Sequence, residues 1–261
     1  MSALIYKGID TASPISAEAA KKLRELGYSF VGRYLVPESG STKWKALTAA
    51  EAKSLRDAGL AILLCWETTA SRARNGATAG ASDAATAAEL AKKMGIPDGT
   101  AIFFAVDYDA PASDYTRIEA YLRGAKWNLG GYRLGLYAPA AVLNYMAKID
   151  PNLVDYGWQC YAWSYGMKAN AHFYQTAWQG DAKAQAVQKQ VGFAVDLDEA
   201  DSLDGLWMRR DLAQTALEWA QSYGIVSGST ETDKAIALAI WKYHNTFSRE
   251  DSRDESGAIT D

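Results

Sequence analysis

The sequence predicts an α/β barrel of about eight strands, with helices mainly after the first five and a short helical segment at the C-terminal end. Three observations carry this expectation. Apolar, strand-like runs alternate with helix-periodic segments over the first two-thirds of the chain. The rhythm then breaks. The runs Tyr156–Trp163 and Phe173–Trp178 are separated by about nine residues, short of the dozen or so that a helical crossover needs. A length of 261 residues suits a single α/β barrel, and a regular doubly wound sheet fits the broken rhythm less well.

The elements follow in order. Strand one covers about 5–10. Ser13, Pro14 and Gly27 bracket the first helix as N-cap, first helical residue and stop. Strand two is Phe30–Val36. Thr48-Ala49-Ala50-Glu51 reads as a capping box, opening a helix that ends at Gly59. Strand three is Leu60–Glu67. An alanine-rich helix over Asp83–Met94 is stopped by Gly95 and Pro97. Strand four is Ala101–Asp109, and Ser113 caps a helix reaching Trp127. Leu134–Tyr137 is strand five, and Pro139–Lys148 a short fifth helix. Tyr156–Trp163, Phe173–Trp178 and Phe193–Asp198 complete the strands, the last two joined by a Lys/Gln/Ala-rich segment that reads as a long hairpin. The barrel is assigned to 1–209 and C-terminal helices to 210–248. The charged, Ser/Gly-rich stretch over 249–261 is expected to be disordered.

Acidic residues mark the ends of several strands: Asp10, Glu67, Asp107, Asp109 and Asp196. In a barrel, side chains at the C-terminal strand ends converge on one face. Strands alternate faces with period two, so Asp107 and Asp109 share a face, as do Asp196 and Asp198. Crowded carboxylates push their pKa values apart, so that one stays protonated while another ionises. Glycoside hydrolysis needs such a pair. Structural roles compete with this reading: a helix cap at Asp10, a turn at Asp109, an ion pair at Glu67. A divalent-cation site is a further alternative. Asp198, Glu199, Asp201 and Asp204 read as a solvated loop cluster. Arg33 shares parity with Val31 and Leu35, and pairs a carboxylate of the site if those residues line the barrel. Trp66, Tyr108, Tyr137 and Trp178 are candidate cleft aromatics, since flat rings suit the apolar faces of sugars. Ordinary packing is the competing account.

Composition narrows the partners. A net charge of −4 with no basic stripe argues against nucleic acid. No apolar run approaches the roughly 20 residues that span a bilayer, so membrane insertion is not expected. The first strand begins too early to leave room for a signal peptide. Cys65 and Cys160 read as buried free thiols. His172 and His244 lack metal-ligand spacing, so neither a metal nor a cofactor is expected.

Seven short motifs add a resemblance: Lys7-Gly8-Ile9-Asp10, Gly32-Arg33-Tyr34-Leu35, Cys65-Trp66-Glu67, Phe104-Ala105-Val106-Asp107-Tyr108-Asp109, Gly135-Leu136-Tyr137, Trp178-Gln179 and Val195-Asp196-Leu197-Asp198. In order and spacing, residues 5–205 resemble the glycoside-hydrolase-like domain family once classed as a domain of unknown function (DUF1906). That family is a distorted TIM-type barrel related to the family 25 lysozymes, which are N-acetylmuramidases. The resemblance implies that Asp10, Asp107 and Asp196 match carboxylates of the lysozyme site and that Trp178-Gln179 match its strand-seven Trp-Gln. It also exposes a departure: Asp109 stands where those lysozymes carry a catalytic Glu. Aspartate is one methylene shorter, and an ångström-scale misplacement costs about a hundredfold in rate.

The expected function is therefore a peptidoglycan-directed, lysozyme-like glycosidase. Asp109 or Glu67 is the expected general acid and Asp107 the charge stabiliser, while Asp10 and Asp196 position substrate. Arg33, Trp66, Tyr108, Tyr137, Trp178 and Gln179 are the expected glycan contacts. A non-catalytic cell-wall glycan-binding module is the alternative, and a metal-dependent hydrolase a third. A chain made in the cytoplasm and acting at the wall implies holin-type or other non-classical release.

Overall fold

The computed structural model describes residues 6–208, together with 220–221, 224–230, 232–233, 235–237 and 239–240. The chain falls into two compact units, Met1–Met208 and Arg209–Asp261. The helices expected over 210–248 lie largely outside the described residues, and the tail over 249–261 wholly so.

The first unit is a closed barrel of eight strands in sequence order. They are β1 (Tyr6–Asp10), β2 (Phe30–Tyr34), β3 (Ala61–Trp66), β4 (Ala101–Ala105), β5 (Arg133–Ala138), β6 (Tyr156–Gln159), β7 (Phe173–Ala177) and β8 (Asp196–Ala200). Helices α1 (Ala17–Glu25), α2 (Ala49–Asp57), α3 (Gly76–Lys93), α4 (Tyr115–Asn128) and α5 (Ala140–Ile149) follow the first five strands, as expected. The strands run parallel from β1 to β7. β8 is antiparallel to both β7 and β1. The result is a mixed-sheet barrel of TIM type.

The β7–β8 connection differs from the expected hairpin. Residues Ala182–Val191 form a sixth helix, α6, which Gly192 ends in the left-handed conformation at φ 86°. Lys, Gln and Ala are strong helix formers, so the segment folds locally as its composition dictates. Topologically it still acts as a hairpin, because α6 leaves and rejoins the sheet at the same end and β8 runs back against β7.

Other boundaries moved for identifiable reasons. Ser16, rather than Ser13, caps α1, its hydroxyl accepting from the Ala19 amide at 3.2 Å. Asp114, rather than Ser113, precedes α4. α3 starts seven residues before the expected Asp83, at Gly76. Its first turns are Gly-Ala-Thr-Ala-Gly, poor in propensity but suited to close packing. A Cβ on Gly80 would strike the Tyr121 carbonyl of α4, and one on Gly124 would strike the Ala77 carbonyl of α3. These glycines let two helix backbones touch.

Two cores result. Inside the barrel, Phe30, Phe103, Trp158 and Phe173 meet edge to face, at 5.5–6.1 Å between ring centroids. Inward-facing glycines make room for them: a Cβ on Gly8 would enter the Phe30 ring, and one on Gly135 the Phe103 ring. Leu206 closes the floor, held by main-chain bonds from Ala101 to the Gly205 carbonyl (2.7 Å) and from Ile62 to Trp207 (2.8 Å). Outside the barrel, Ile9, Val31, Ile62, Leu64, Ile102, Phe104 and Leu136 face the helices.

Val31 and Leu35 therefore face the helices, and so does Arg33. It is fully buried, and its guanidinium grips Glu51 of α2 with Nε–Oε1 at 2.7 Å and Nη2–Oε2 at 3.2 Å. Its remaining donor reaches the Thr11 carbonyl at 2.8 Å, and Glu51 also accepts from the Ile15 amide at 2.9 Å. Arg33 ties β2 to α2 and to the chain leaving β1; it does not touch the carboxylates at the barrel end. The capping box is correspondingly half used. Thr48 accepts from the Glu51 amide at 3.1 Å, but the Glu51 carboxylate is spent on Arg33. Removing one partner of a buried pair leaves an uncompensated charge. Glu51→Ala is expected to destabilise the first unit by about 3–5 kcal/mol in urea unfolding, and the apolar double variant Arg33→Met/Glu51→Leu to recover most of that loss.

Candidate active site

The inward positions that end β1, follow β3 and β4 and begin β8 carry Asp10, Glu67, Asp107 and Asp196. Because β8 is antiparallel, Asp196 reaches the same end of the barrel as Asp10 and pairs with it across the ladder. The sequence expectation had placed Asp196 at a strand's finish; it stands at a strand's start.

Gln175 of β7 joins the two carboxylates. Its amide nitrogen donates to Asp10 Oδ2 at 2.9 Å and to Asp196 Oδ2 at 3.0 Å. Its carbonyl oxygen is occupied by the Tyr137 hydroxyl at 3.3 Å and the Tyr161 amide at 3.0 Å, so the NH₂ group faces the acids. Gln175 carried no motif and was missed, although it shares inward parity with Phe173 and Ala177.

Asp198 lies one inward position further along β8. It reads as solvated from its acidic neighbours, yet it is 2% exposed and inside the barrel. It faces Gly8 across the ladder. The Trp158 indole donates to Oδ1 at 2.8 Å, and Oδ2 meets no donor. A proton on Oδ2, directed at Asp10, satisfies this geometry. A Cβ on Gly32 of β2 would lie 2.7 Å from the Asp10 Cβ, so the glycine keeps that space open.

The electrostatics follow from burial and crowding. Burial first, then the neighbouring Asp196 charge, pushes Asp10 up to about 7 against the hydrogen bond from Gln175. Asp196 is pushed up to about 6 by burial, with Asp107 adding to the rise and the Gln179 amide opposing it. Asp198 is held well above the ordinary carboxylate range by burial and by Asp10. Near neutral pH this corner of the barrel holds protons that free aspartates would have lost.

The other predicted residues divide. Asp107 sits at the mouth and accepts from the Trp163 indole at 3.2 Å. Asp109 is exposed and takes the Tyr165 hydroxyl at 2.7 Å. Both donors come from the β6–β7 loop, where Tyr165 has φ 49°. Glu67 pairs with Lys45 at 3.2 Å, in a largely buried position where Lys45 also covers the Tyr34 ring at 4.1 Å. Lys45 comes from a 3₁₀ turn over Gly40–Lys45 and had no signal in the sequence. Tyr137 lines the barrel interior against Trp158, centroids 4.4 Å apart. Trp178 is half exposed beyond β7.

Two expectations are corrected. Trp66 is buried in the core between sheet and helices, because its parity is opposite to that of Cys65 and Glu67. Tyr108 also faces outward, its hydroxyl donating to Asp114 at 3.0 Å. Gln179 is exposed beyond β7 and donates its main-chain N–H to Asp196. Among the described residues, no three His, Cys, Asp or Glu side chains are grouped to hold a metal ion.

The comparisons with known proteins agree with this architecture. The "Uncharacterized protein FadG" of Bacillus subtilis is 33% identical over 156 residues, which is 54% of this chain and 26% of FadG. This chain thus aligns with about a quarter of that relative's length. Among solved structures, the Tat-secreted protein Rv2525c of Mycobacterium tuberculosis superposes with a TM-score of 0.65 at 24% identity, covering 77% of this chain and 98% of that one. The catalytic domain of endolysin ply40, from bacteriophage P40 of Listeria monocytogenes, gives 0.51 at 17% identity over 78% of this chain and all of that domain. At those identities the likeness is one of fold. The family described as "Rv2525c-like, glycoside hydrolase-like domain" matches residues 21–204, from α1 past the end of β8. With that match spanning nearly all of the barrel that carries the acidic mouth, the chain belongs to the Rv2525c-like family of glycoside hydrolase-like domains.

Proposed function

We propose that the barrel is a peptidoglycan-directed glycosidase of lysozyme type. The observation that carries this reading is the Gln175 bridge. Two carboxyl oxygens within 3.0 Å of one nitrogen are at most about 6 Å apart, a crowding that keeps a proton on the pair for use as a general acid. The endolysin catalytic domain of the same fold supports the choice of substrate class.

We assign the roles differently from the sequence expectation. Glu67 is engaged by Lys45, and Asp109 by Tyr165. The carboxyls raised toward neutrality at the mouth are Asp10, to about 7, and Asp196, to about 6, with Asp198 raised beneath them. In the proposed mechanism this pair shares a proton that passes to the leaving glycosidic oxygen as its bond to the anomeric carbon breaks; a water then bonds to that carbon and returns a proton to the pair. Asp107, steadied by the Trp163 N–H, stabilises positive charge developing on the sugar ring. Gln175 and Tyr137 hold the pair in register. Trp178 and the β6–β7 loop aromatics provide flat faces for the glycan.

The engagement of both Glu67 and Asp109 favours a second reading, a cell-wall glycan-binding module without hydrolysis. Release of reducing ends from purified peptidoglycan separates the two. Asp107→Asn and Asp196→Asn are each expected to lower that release about a hundredfold or more. Release without any effect of these variants would end the proposed mechanism. Wall co-sedimentation with no reducing ends leaves the binding module.

The alkaline limb of activity follows from the protons. A donor carried by Asp10 and Asp196 is lost as pH rises through about 6 to 7, so the rate is expected to fall over that range. Trp178→Ala is expected to weaken wall co-sedimentation several-fold while leaving the urea midpoint unchanged.

Stability responds in the same direction. The native state binds these protons more tightly than the unfolded chain. Their contribution is full below the ordinary value of 3.8 and is lost as pH rises through the native values. Asp198→Asn keeps an acceptor for Trp158 and removes a buried ionisable group. Its stability relative to wild type is expected to rise with pH above the ordinary carboxylate value of 3.8 in urea titrations. A pH-independent difference would show that Asp198 carries no proton.

A further inference from the structure

The acidic mouth occupies one end of the barrel, and the opposite end carries a separate cavity of about 410 Å³. Arg133, Tyr156 and Phe173, the first residues of β5, β6 and β7, line it. β8 runs the other way and finishes at Ala200, so Ser202 and Asp204 beyond it also reach this end. Strands of five residues put this floor about 15 Å from the carboxylates of the mouth.

The polar groups here are unevenly committed. Asp155 is committed through one oxygen: its Oδ2 accepts from Lys126 at 2.8 Å and from the Leu134 amide at 2.8 Å. Arg133 makes only a long pairing with the Oδ1 of that carboxylate, at 3.9 Å, and its side chain is 61% exposed, so its donors remain open to a ligand. His172 accepts from the Gly157 amide at Nδ1, 3.1 Å away. In the neutral ring the hydrogen therefore sits on Nε2, as a donor with its direction set by the backbone. The Tyr156 ring lies against the His172 ring, centroids 5.0 Å apart. The Asp204 carboxylate charge reaches Tyr156, where it adds to the rise caused by burial. Among the described residues, neither that carboxylate nor the Tyr156 hydroxyl has a hydrogen-bonding partner. The cavity thus offers cationic and neutral donors together with one uncommitted carboxylate, over an apolar base at Phe173.

A simple anion would meet Arg133 but be repelled by Asp204, and a simple cation the reverse. A small molecule bearing both charges answers both. We propose that the floor cavity binds a small zwitterion of the amino-acid class. Its carboxylate lies on Arg133 and His172, its ammonium on Asp204 and Tyr156, and a short apolar side chain lies against the Tyr156 and Phe173 rings. The site is independent of the mouth and of any glycosidase activity there.

The test is a titration of the ¹⁵N-labelled full chain with alanine, and with acetate and methylammonium as half-ligands, read by amide chemical shifts. Saturable shifts are expected at Gly157, His172 and Asp204 at roughly millimolar alanine, with each half-ligand about tenfold weaker. Arg133→Gln and Asp204→Asn are each expected to weaken alanine about tenfold without changing the thermal midpoint, and Asp107→Asn, at the mouth, to leave it unchanged. Absence of saturation, equal binding of alanine and acetate, or shifts confined to the mouth would each overturn the proposal. If Arg133→Gln lowers the thermal midpoint, Asp204→Asn decides alone: unchanged alanine affinity in that variant also overturns it.

Discussion

Because β8 runs against both of its neighbours, it begins at the mouth of the barrel instead of ending there, and the rest of the acidic site depends on that reversal. The ladder pairs Asp10 with Asp196 and Gly8 with Asp198. Two carboxyl side chains of one strand thus lie beside a third on the adjacent strand, in an interior otherwise filled by aromatic and small apolar side chains. Such crowding is costly for ionised groups, and the chain meets the cost with protons and hydrogen bonds. Gln175 spans one pair of acids, and Trp158 satisfies one oxygen of the deepest. The raised pKa values are the thermodynamic record of that arrangement.

The barrel can hold this cluster because its interior volume is apportioned residue by residue. Gly8, Gly32 and Gly135 stand beside Phe30, Asp10 and Phe103, and each yields the space its neighbour occupies. Close packing makes such exchanges specific, since even one added methyl group must displace something. On the outer face the same economy operates with charge. Arg33 is buried, but its donors reach Glu51 and the Thr11 carbonyl, locking β2, α2 and the exit of β1 together directly behind Asp10. Arg33 thus supports the site from behind.

Period-two parity was the most reliable guide where it was applied strictly. It places Asp10, Glu67 and Asp107 inside, and the same rule puts Trp66 and Tyr108 outside, since each lies one residue from an inward position. Applied to β7 it identifies Gln175, and applied to β8 it brings Asp198 in with Asp196. Gln175 belongs to no motif, and Asp198, although it closes the motif Val195-Asp196-Leu197-Asp198, lies in an acidic stretch that reads as solvated. Lys45 was beyond reach of any such rule. It arrives from a 3₁₀ turn after β2 and meets Glu67 only because β2 and β3 are adjacent.

The sequence by itself determined the barrel, its five helix-bearing strands and the set of acids at one end. These rest on local periodicity and on strand-end positions, which are properties of short segments. Tertiary structure alone decided which acids share protons and which are tied to a cation or a tyrosine. That outcome depends on strand direction, on the 2.9 and 3.0 Å reach of Gln175 to its two partners, and on depth of burial. None of these is a property of any single segment, because each requires residues as far apart as Asp10 and Asp196 to be placed side by side.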